Sequence, residues 1–262
     1  ASNPSTAALP EDTRMPEHSP RFATVVAVEL IKLRRSLALL LAVVAPSLVA
    51  VFVFFNLLRM EKANDWSMTL MSSAAIWAFF MLPMSVTALT ALVAHAEHGP
   101  RTWDHLRALP VPAWQFFAAK LLGVLGVVLL MTVLLAAMTP AVAFAAGWLK
   151  PTIAPTGDVD LLAYVILLGR MTVAAGLLVV VQAWVALRFA SFVPALATGI
   201  GGTFFAVVAT SAKAGVALPW QIPVNQLAAD PARADLALAI GGLGGVGAAI
   251  AMVWHLSRRD VL

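Results

Sequence analysis

Long apolar stretches separated by short polar segments dominate the pattern of the chain. A helix that crosses the hydrocarbon core of a bilayer needs about 20 predominantly apolar residues. Six stretches reach that length, at 37–58, 68–94, 116–148, 161–187, 192–212 and 236–254. Only residues 188–191 separate the fourth and fifth, which predicts a tight antiparallel hairpin or one broken helix. The pattern predicts an all-α polytopic membrane protein with six transmembrane helices spread over residues 37–262.

The composition supports lipid as the main solvent of the side chains. The chain has 262 residues, of which 61% are hydrophobic and 11% are charged, whereas soluble domains carry about 25% charged residues. It contains no cysteine, which excludes disulfides and thiolate chemistry. The net charge is +4, but the sequence shows no basic patch with interleaved aromatic residues of the kind that binds nucleic acid. We therefore predict a bilayer partner and no nucleic acid.

The basic residues near the ends of the stretches predict the orientation, because lysine and arginine accumulate on the cytoplasmic side. With the N-terminus inside, the cytoplasmic side would hold Arg14, Arg21, Lys32, Arg34, Arg35, Arg101, Arg107, Lys120, Arg188, Arg258 and Arg259. The outer side would hold Arg59, Lys62, Lys150, Lys213 and Arg233. Both termini are therefore predicted to be cytoplasmic.

Two segments precede the first apolar stretch. Residues 1–20 are rich in Pro, Ser, Thr and Glu and are predicted to be a disordered cytoplasmic tail. Residues 21–36 repeat apolar residues at helical spacing, which predicts an amphipathic helix on the inner membrane face or an extension of the first span. The charged residues of this segment cluster toward its end: Glu29, Lys32, Arg34 and Arg35.

The segment 95–112 is a polar loop with a helical pattern inside it. A Gly-Pro turn at 99–100 precedes a stretch, 101–109, that is long enough for about two helical turns. Trp103, Leu106 and Leu109 would share one face of that helix. An exposed apolar face of this kind fits a groove on a soluble partner, and it equally fits lipid or the protein's own bundle.

Motifs for chemistry within the chain are missing. The sequence has no phosphate-binding GxxxxGK[ST] loop, no GxGxxG, no GxSxG and no HExxH. His95, His98 and His105 lack the spacing of a zinc site, so no metal is predicted. The one charge deep in a span is Arg170, which we interpret as a pathway or interface residue or, alternatively, as an arginine that caps helix carbonyls. No catalytic residue is predicted.

Two further features concern the last third of the chain. Proline residues break the outer segment 213–235 into short pieces, which is consistent with a re-entrant or interfacial helix. Gly241 and Gly245 form a small-xxx-small match that favours close helix packing, within the chain or in a dimer.

The order of residues from 97 to 120 resembles the cytoplasmic loop of type-2 ABC exporter permeases. The matching positions are Glu97, Gly99, Thr102, Trp103, Leu106, Leu109, Pro110, Val111 and Lys120. Among these permeases the loop looks most similar to the lantibiotic-immunity and bacitracin-export branch. The general plan of such permeases is similar to residues 21–262.

The resemblance implies roles for particular residues. The stretch 101–109 would be the coupling helix that lodges in an ATPase cleft, and Glu97 and Gly99 would set the bend into it. The implied ATPase-coupling residues are Glu97, Gly99, Arg101, Thr102, Trp103, Leu106, Arg107, Leu109 and Pro110. The helix with Glu29, Lys32, Arg34 and Arg35 would lie alongside and touch the ATPase.

The resemblance also implies a function. The chain would be half of an exporter in the bacterial inner membrane, paired with a second copy or a related permease. Two soluble ATPase subunits would bind ATP and Mg, and this chain would hold no cofactor. The charge-poor spans favour an amphipathic peptide, a drug or a lipid-like substrate. The alternative hypothesis is an ATPase-independent membrane scaffold or assembly factor.

Overall fold

A computed structural model describes residues 21–98, 111–209 and 213–258, with the backbone alone at 97–98 and 213–214. Across these ranges every regular element is helical, and the one β-bridge pairs Asp65 with Thr156. The all-α polytopic prediction is confirmed. The terminal tail and the loop 99–110 lie outside the described residues.

Ten α-helices occupy the described part of the chain. They are α1 (Phe22–Arg34), α2 (Leu37–Arg59), α3 (Trp66–Ile76), α4 (Leu82–His98), α5 (Ala113–Leu149), α6 (Leu161–Ala174), α7 (Gly176–Arg188), α8 (Val193–Val208), α9 (Pro231–Ala239) and α10 (Gly245–Ser257). Two π-helical turns, Trp77–Met81 and Ile240–Gly244, join α3 to α4 and α9 to α10. Short 3-10 turns occur at Pro151–Ile153, Lys213–Ala217 and Val224–Leu227.

Five helices in the described ranges are long and apolar enough to cross a bilayer: Leu37–Arg59, Trp66–Ala96, Ala113–Leu149, Leu161–Arg188 and Pro231–Ser257. The fifth predicted stretch, 192–212, corresponds to α8, an apolar helix of 16 residues. That length is below the roughly 20 residues a straight crossing needs. The span count of six therefore remains a prediction.

The helices run alternately in opposite directions, which gives the bundle two distinct ends. We call the end that carries α1 the interfacial end. The interfacial end also holds the N-termini of α2 and α5 and the C-termini of α4, α7 and α10. The opposite end is called the far end. There the backbones of Asn64 and Trp66 hydrogen-bond to Thr156, and the ammonium of Lys150 donates to the Met60 carbonyl at 2.7 Å.

The second span, from α3 to α4, lies at the centre of the bundle. In its most apolar stretch 61% of the residues are buried, against 22% in the last span. Its π-helical turn ends two residues before Pro83, and this widening accommodates the proline ring, which clashes with the carbonyl one turn earlier in a regular α-helix. In the same span, the hydroxyl of Ser73 is hydrogen-bonded to Thr139 and Tyr164 at 2.8 and 3.1 Å.

Candidate functional site

Helix α1 packs along the first turns of α5. Val25 of α1 is buried in an apolar cluster with Phe116 and Ala119 of α5. At the start of both helices the rings of Phe22 and Trp114 stack, with centroids 5.5 Å apart. One apolar side of α1 therefore faces another helix of the protein, whereas Val28, Leu30 and Ile31 of α1 are exposed.

A buried ion pair fastens the same two helices. The Lys120 ammonium of α5 donates to the Glu29 carboxylate of α1 at 3.0 Å, and the two side chains are only 1% and 6% exposed. Lys32 donates to the other oxygen of the same carboxylate, also at 3.0 Å. Charges withdrawn from water are stable only when they are paired, so this contact fixes both the position and the rotation of α1 on α5.

The end of α1 is fixed as well. Gly123 of α5 lies so close to Leu33 that an added Cβ would come within 2.7 Å of the Leu33 side chain. Ser36 then starts α2, because its hydroxyl accepts a hydrogen bond from the Ala38 amide at 3.1 Å and donates to the Leu33 carbonyl at 2.9 Å. The turn at Arg35 and Ser36 separates α1 from α2, so α1 is a helix of its own and not a continuation of the first span.

The predicted ATPase-coupling residues lie in the last turn of α4 and between α4 and α5 in the chain. Glu97 is in the last turn of α4, with its side chain outside the described part, and Gly99, Arg101, Thr102, Trp103, Leu106, Arg107, Leu109 and Pro110 lie outside the described residues. The chain re-enters the described part at Val111, which packs on the Val25 cluster. The loop therefore leads directly into the part of α5 that holds α1.

The predicted charged residues of α1 divide into two groups. Glu29 is buried, whereas Arg34 and Arg35 are exposed at the interfacial end of the bundle. Lys32 belongs to both groups, since its side chain binds Glu29 and is 42% exposed. The structure thus presents a basic surface, Lys32, Arg34 and Arg35, at the interfacial end.

Arg170 lies at the far end, and it has a charged partner. Its guanidinium donates to the Asp235 carboxylate at 2.6 Å and to the Gln226 side chain at 3.1 Å. Its charge is therefore paired, and the interpretation of Arg170 as a pathway or interface residue stays a prediction. Asp235 belongs to α9, which begins at Pro231, five residues before the predicted sixth span. The arginine binds side chains, which disfavours the alternative of carbonyl capping.

The outer segment around Gln226 is inserted into the far end of the bundle. Trp220, Gln221, Ile222, Val224, Asn225 and Gln226 are all buried. The Asn225 side chain accepts a hydrogen bond from Arg233 at 2.7 Å and donates to the Gln221 carbonyl at 2.9 Å. Short 3-10 turns, and not a longer re-entrant helix, form this segment in the described residues.

A groove opens between α2 and α3 in the far half of the bundle. It has a volume of about 330 Å³ and is lined by Phe52, Val53, Asn56, Leu57, Asn64, Thr69, Ser72, Ala75 and Ile76. Asn56 and Ser72 are exposed there, although each belongs to a span. Polar side chains within spans are uncommon on lipid-facing surfaces, and they usually face protein or a water-filled path.

The glycine pattern of the last span serves packing within the chain. Gly241 lies against the carbonyl of Ala174, and Gly245 lies against the backbone of Gly176 and Leu177. Side chains at these positions would separate the fourth and last spans. The structure therefore favours the intramolecular interpretation of this motif over a dimer contact.

Sequence reasoning missed the pairing of Glu29 with Lys120. In the sequence, Lys120 belongs to the loop resemblance and Glu29 to the charges of the predicted amphipathic helix. The available signal was a single lysine in the first turns of a long apolar helix, which needs an acidic partner if it is buried. In the described ranges no three His, Asp or Glu side chains are grouped as a metal site.

The fold defines a multi-pass membrane protein in which an interfacial helix is bound to the base of one span. A family model described as ABC-2 family transporter protein matches residues 25–209, from α1 to the end of α8. The chain belongs to this family. It is therefore a permease subunit of an ABC transporter, a class of membrane subunit that associates with an ABC ATPase. No curated protein matches the chain significantly.

Proposed function

We propose that this chain forms half of the translocation pathway of an ATP-driven exporter. Two ATPase subunits, which bind ATP and Mg, would act on it through the loop 99–110 and through α1. The observation that carries the proposal is the buried Glu29–Lys120 pair. It joins α1 to the part of α5 that directly follows the loop.

The mechanical path starts at the loop. In this proposal the stretch 101–109 is the coupling helix, with Trp103, Leu106 and Leu109 in an ATPase cleft. A displacement of the loop moves the base of α5, and α1 moves with it because of the ion pair and the Phe22–Trp114 stack. The short turn at Ser36 then transfers the motion to α2.

The pathway itself would run along the groove between α2 and α3. A second copy, or a related permease, would face this groove and complete the path. The lining combines exposed Asn56 and Ser72 with apolar side chains and carries no formal charge. Such a surface suits an amphipathic peptide, a drug or a lipid-like molecule. Among these, the resemblance of the loop to the lantibiotic-immunity and bacitracin-export branch favours a peptide.

The orientation proposed here puts the interfacial end in the cytoplasm. The N- and C-termini would then both be cytoplasmic, as the distribution of Lys and Arg predicts. A tag inserted at Asp158 in the far-end loop should be labelled by a membrane-impermeant reagent in whole cells, and a tag after Leu262 should not. Labelling of the C-terminal tag alone would reverse the orientation.

The first experiment is capture of the partner. The tagged chain is extracted in mild detergent, and bound proteins are identified and quantified by mass spectrometry. We expect a nucleotide-binding ABC ATPase at one copy for each permease chain. The Trp103→Asp variant should lose ATPase binding or retain it with ATP hydrolysis uncoupled from transport. Trp148→Asp is the matched control, because Trp148 is 83% exposed at the far end.

The outcome separates the exporter from a scaffold. A scaffold has no need of an exposed apolar face on the loop, so Trp103→Asp would then behave like Trp148→Asp. Full export and ATPase binding by Trp103→Asp would contradict the assignment of the coupling helix. One kind of permease chain in the captured complex indicates a homodimer, and two kinds indicate a heterodimer.

A further inference from the structure

A cavity at the interfacial end lies between α1, the start of α2, the end of α4 and the base of α5. Its volume is about 230 Å³. The walls include Leu33, Leu37, Leu92 and Val93, so most of the lining is hydrocarbon. The cavity is thus an apolar space at the depth where an amphipathic helix meets the membrane surface.

Basic side chains outnumber acidic ones around this cavity. Glu29 on its wall is neutralised by Lys120 and Lys32, each at 3.0 Å. Lys32, Leu33 and Ser36 line the cavity, so Arg34 and Arg35 are adjacent to its rim in the chain. Both arginines are exposed. The cavity wall thus carries Lys32, two exposed arginines follow it in the chain, and most of the interior is apolar.

We propose that this cavity binds an anionic phospholipid from the leaflet at the interfacial end. An acyl chain would lie against Leu33, Leu92 and Val93, and the phosphate would face Lys32, Arg34 and Arg35. Basic pockets between membrane helices bind anionic head groups in this way. The site is independent of the proposed exporter function, since it requires only the described helices.

The lipid-binding test compares an anionic with a zwitterionic lipid on the full-length protein. The chain is purified in detergent doped with equal amounts of phosphatidylglycerol and phosphatidylcholine, and the retained lipids are quantified by mass spectrometry. We expect phosphatidylglycerol to be retained preferentially. Lys32→Gln should reduce its retention about fivefold, the effect of one cation near an anionic head group. The control Lys62→Gln, an exposed lysine at the far end, should leave it unchanged.

A second variant tests the cavity apart from the charge. Ala96 is an exposed residue on the cavity wall, so Ala96→Trp should fill the space without disturbing the core. Ala141→Trp, at an exposed position of α5, is the matched control. We expect Ala96→Trp alone to reduce phosphatidylglycerol retention. Equal retention by both tryptophan variants would mean surface attraction only and would overturn the site.

The unaltered protein provides a test that no folding defect can obscure. Phosphatidylglycerol with a photoreactive group in one acyl chain is cross-linked to the protein, and the labelled peptides are mapped. We expect adducts in 33–38 or 92–96. Adducts confined to other lipid-facing surfaces, or no preference for phosphatidylglycerol over phosphatidylcholine, would overturn the proposal.

Discussion

Two ion pairs connect helices at opposite ends of the bundle, and they differ in their access to solvent. At the interfacial end the side chains of Lys120 and Glu29 are 1% and 6% exposed. At the far end those of Arg170 and Asp235 are 35% and 68% exposed. The first pair is enclosed by helices, whereas the second lies at a surface.

This difference determines what each pair can do. A buried pair becomes strongly destabilising when one partner is removed, because the other charge stays without compensation. An exposed pair contributes little, because water solvates each charge almost as well as the partner does. The interfacial pair is therefore suited to hold α1 rigidly on α5, and the far-end pair leaves its helices freer to separate.

The largest effect should follow removal of the buried lysine. Lys120→Met should lower the free energy of unfolding by up to about 3–5 kcal/mol, since it leaves the buried Glu29 carboxylate with the solvent-exposed Lys32 as its remaining partner. The measurement is the unfolding midpoint of the purified chain in mild detergent. The variant should also uncouple ATP hydrolysis from transport in the assembled complex.

A double variant distinguishes the loss of charge compensation from the loss of side-chain packing. Lys120→Met combined with Glu29→Gln removes both charges and should recover most of the stability lost by Lys120→Met alone. If the double variant were as unstable as the single one, packing and not charge compensation would explain the contact.

The far end depends on close packing in addition to its charges. Gly202 of α8 lies against the Trp220 indole of the outer segment, and an added Cβ would overlap that ring. Gly202→Ala should therefore cost about 1–3 kcal/mol, the usual cost of overpacking. Unfolding in detergent, followed by tryptophan fluorescence, measures this change.

The neighbouring glycine is the control for this prediction. Nothing lies within 4 Å of a Cβ added at Gly201. Gly201→Ala should be neutral or should stabilise the helix by up to about 1 kcal/mol, because alanine has the higher helix propensity. Equal losses in the two variants would show that the Trp220 contact does not hold the outer segment.

Periodicity and hydropathy predict most of the fold, because lipid demands long apolar helices. The limits of α2 and α5 differ from their predicted spans by a few residues. The partners of individual polar side chains are less accessible from sequence. Glu29 and Lys120 are 91 positions apart, and nothing local to either residue reveals that α1 lies on α5.

The far end illustrates the same limit. The sequence places Arg170 inside the fourth span and Asp235 just before the last one, and the packing of α9 against α6 brings them together. The glycines at 241 and 245 predict close packing, but their partner on the fourth span depends on the crossing of two helices. Local patterns thus predict helices, and tertiary contacts decide which side chains meet.

A smaller effect should follow removal of the exposed carboxylate. Asp235→Asn keeps the size of the side chain and leaves Arg170 bound to Gln226. The cost should be about 0.2–1 kcal/mol, as for other exposed pairs. The same unfolding midpoint measures it, and a loss as large as that of Lys120→Met would mean that the far-end pair is buried in the assembled membrane protein.

The smallest effect we predict is a difference in how the two ion pairs respond to salt. Raising the ionic strength from 0.15 to 1 M shortens the screening length from about 8 to about 3 Å, and screening acts on charges that ions can approach. The cost of Asp235→Asn should therefore shrink at high salt, whereas the cost of Lys120→Met should stay nearly constant. Unfolding midpoints of both variants, each against the unaltered chain at the two salt concentrations, measure this difference. If salt reduced both costs alike, ions would reach Glu29, and the enclosed contact between α1 and α5 would open in solution.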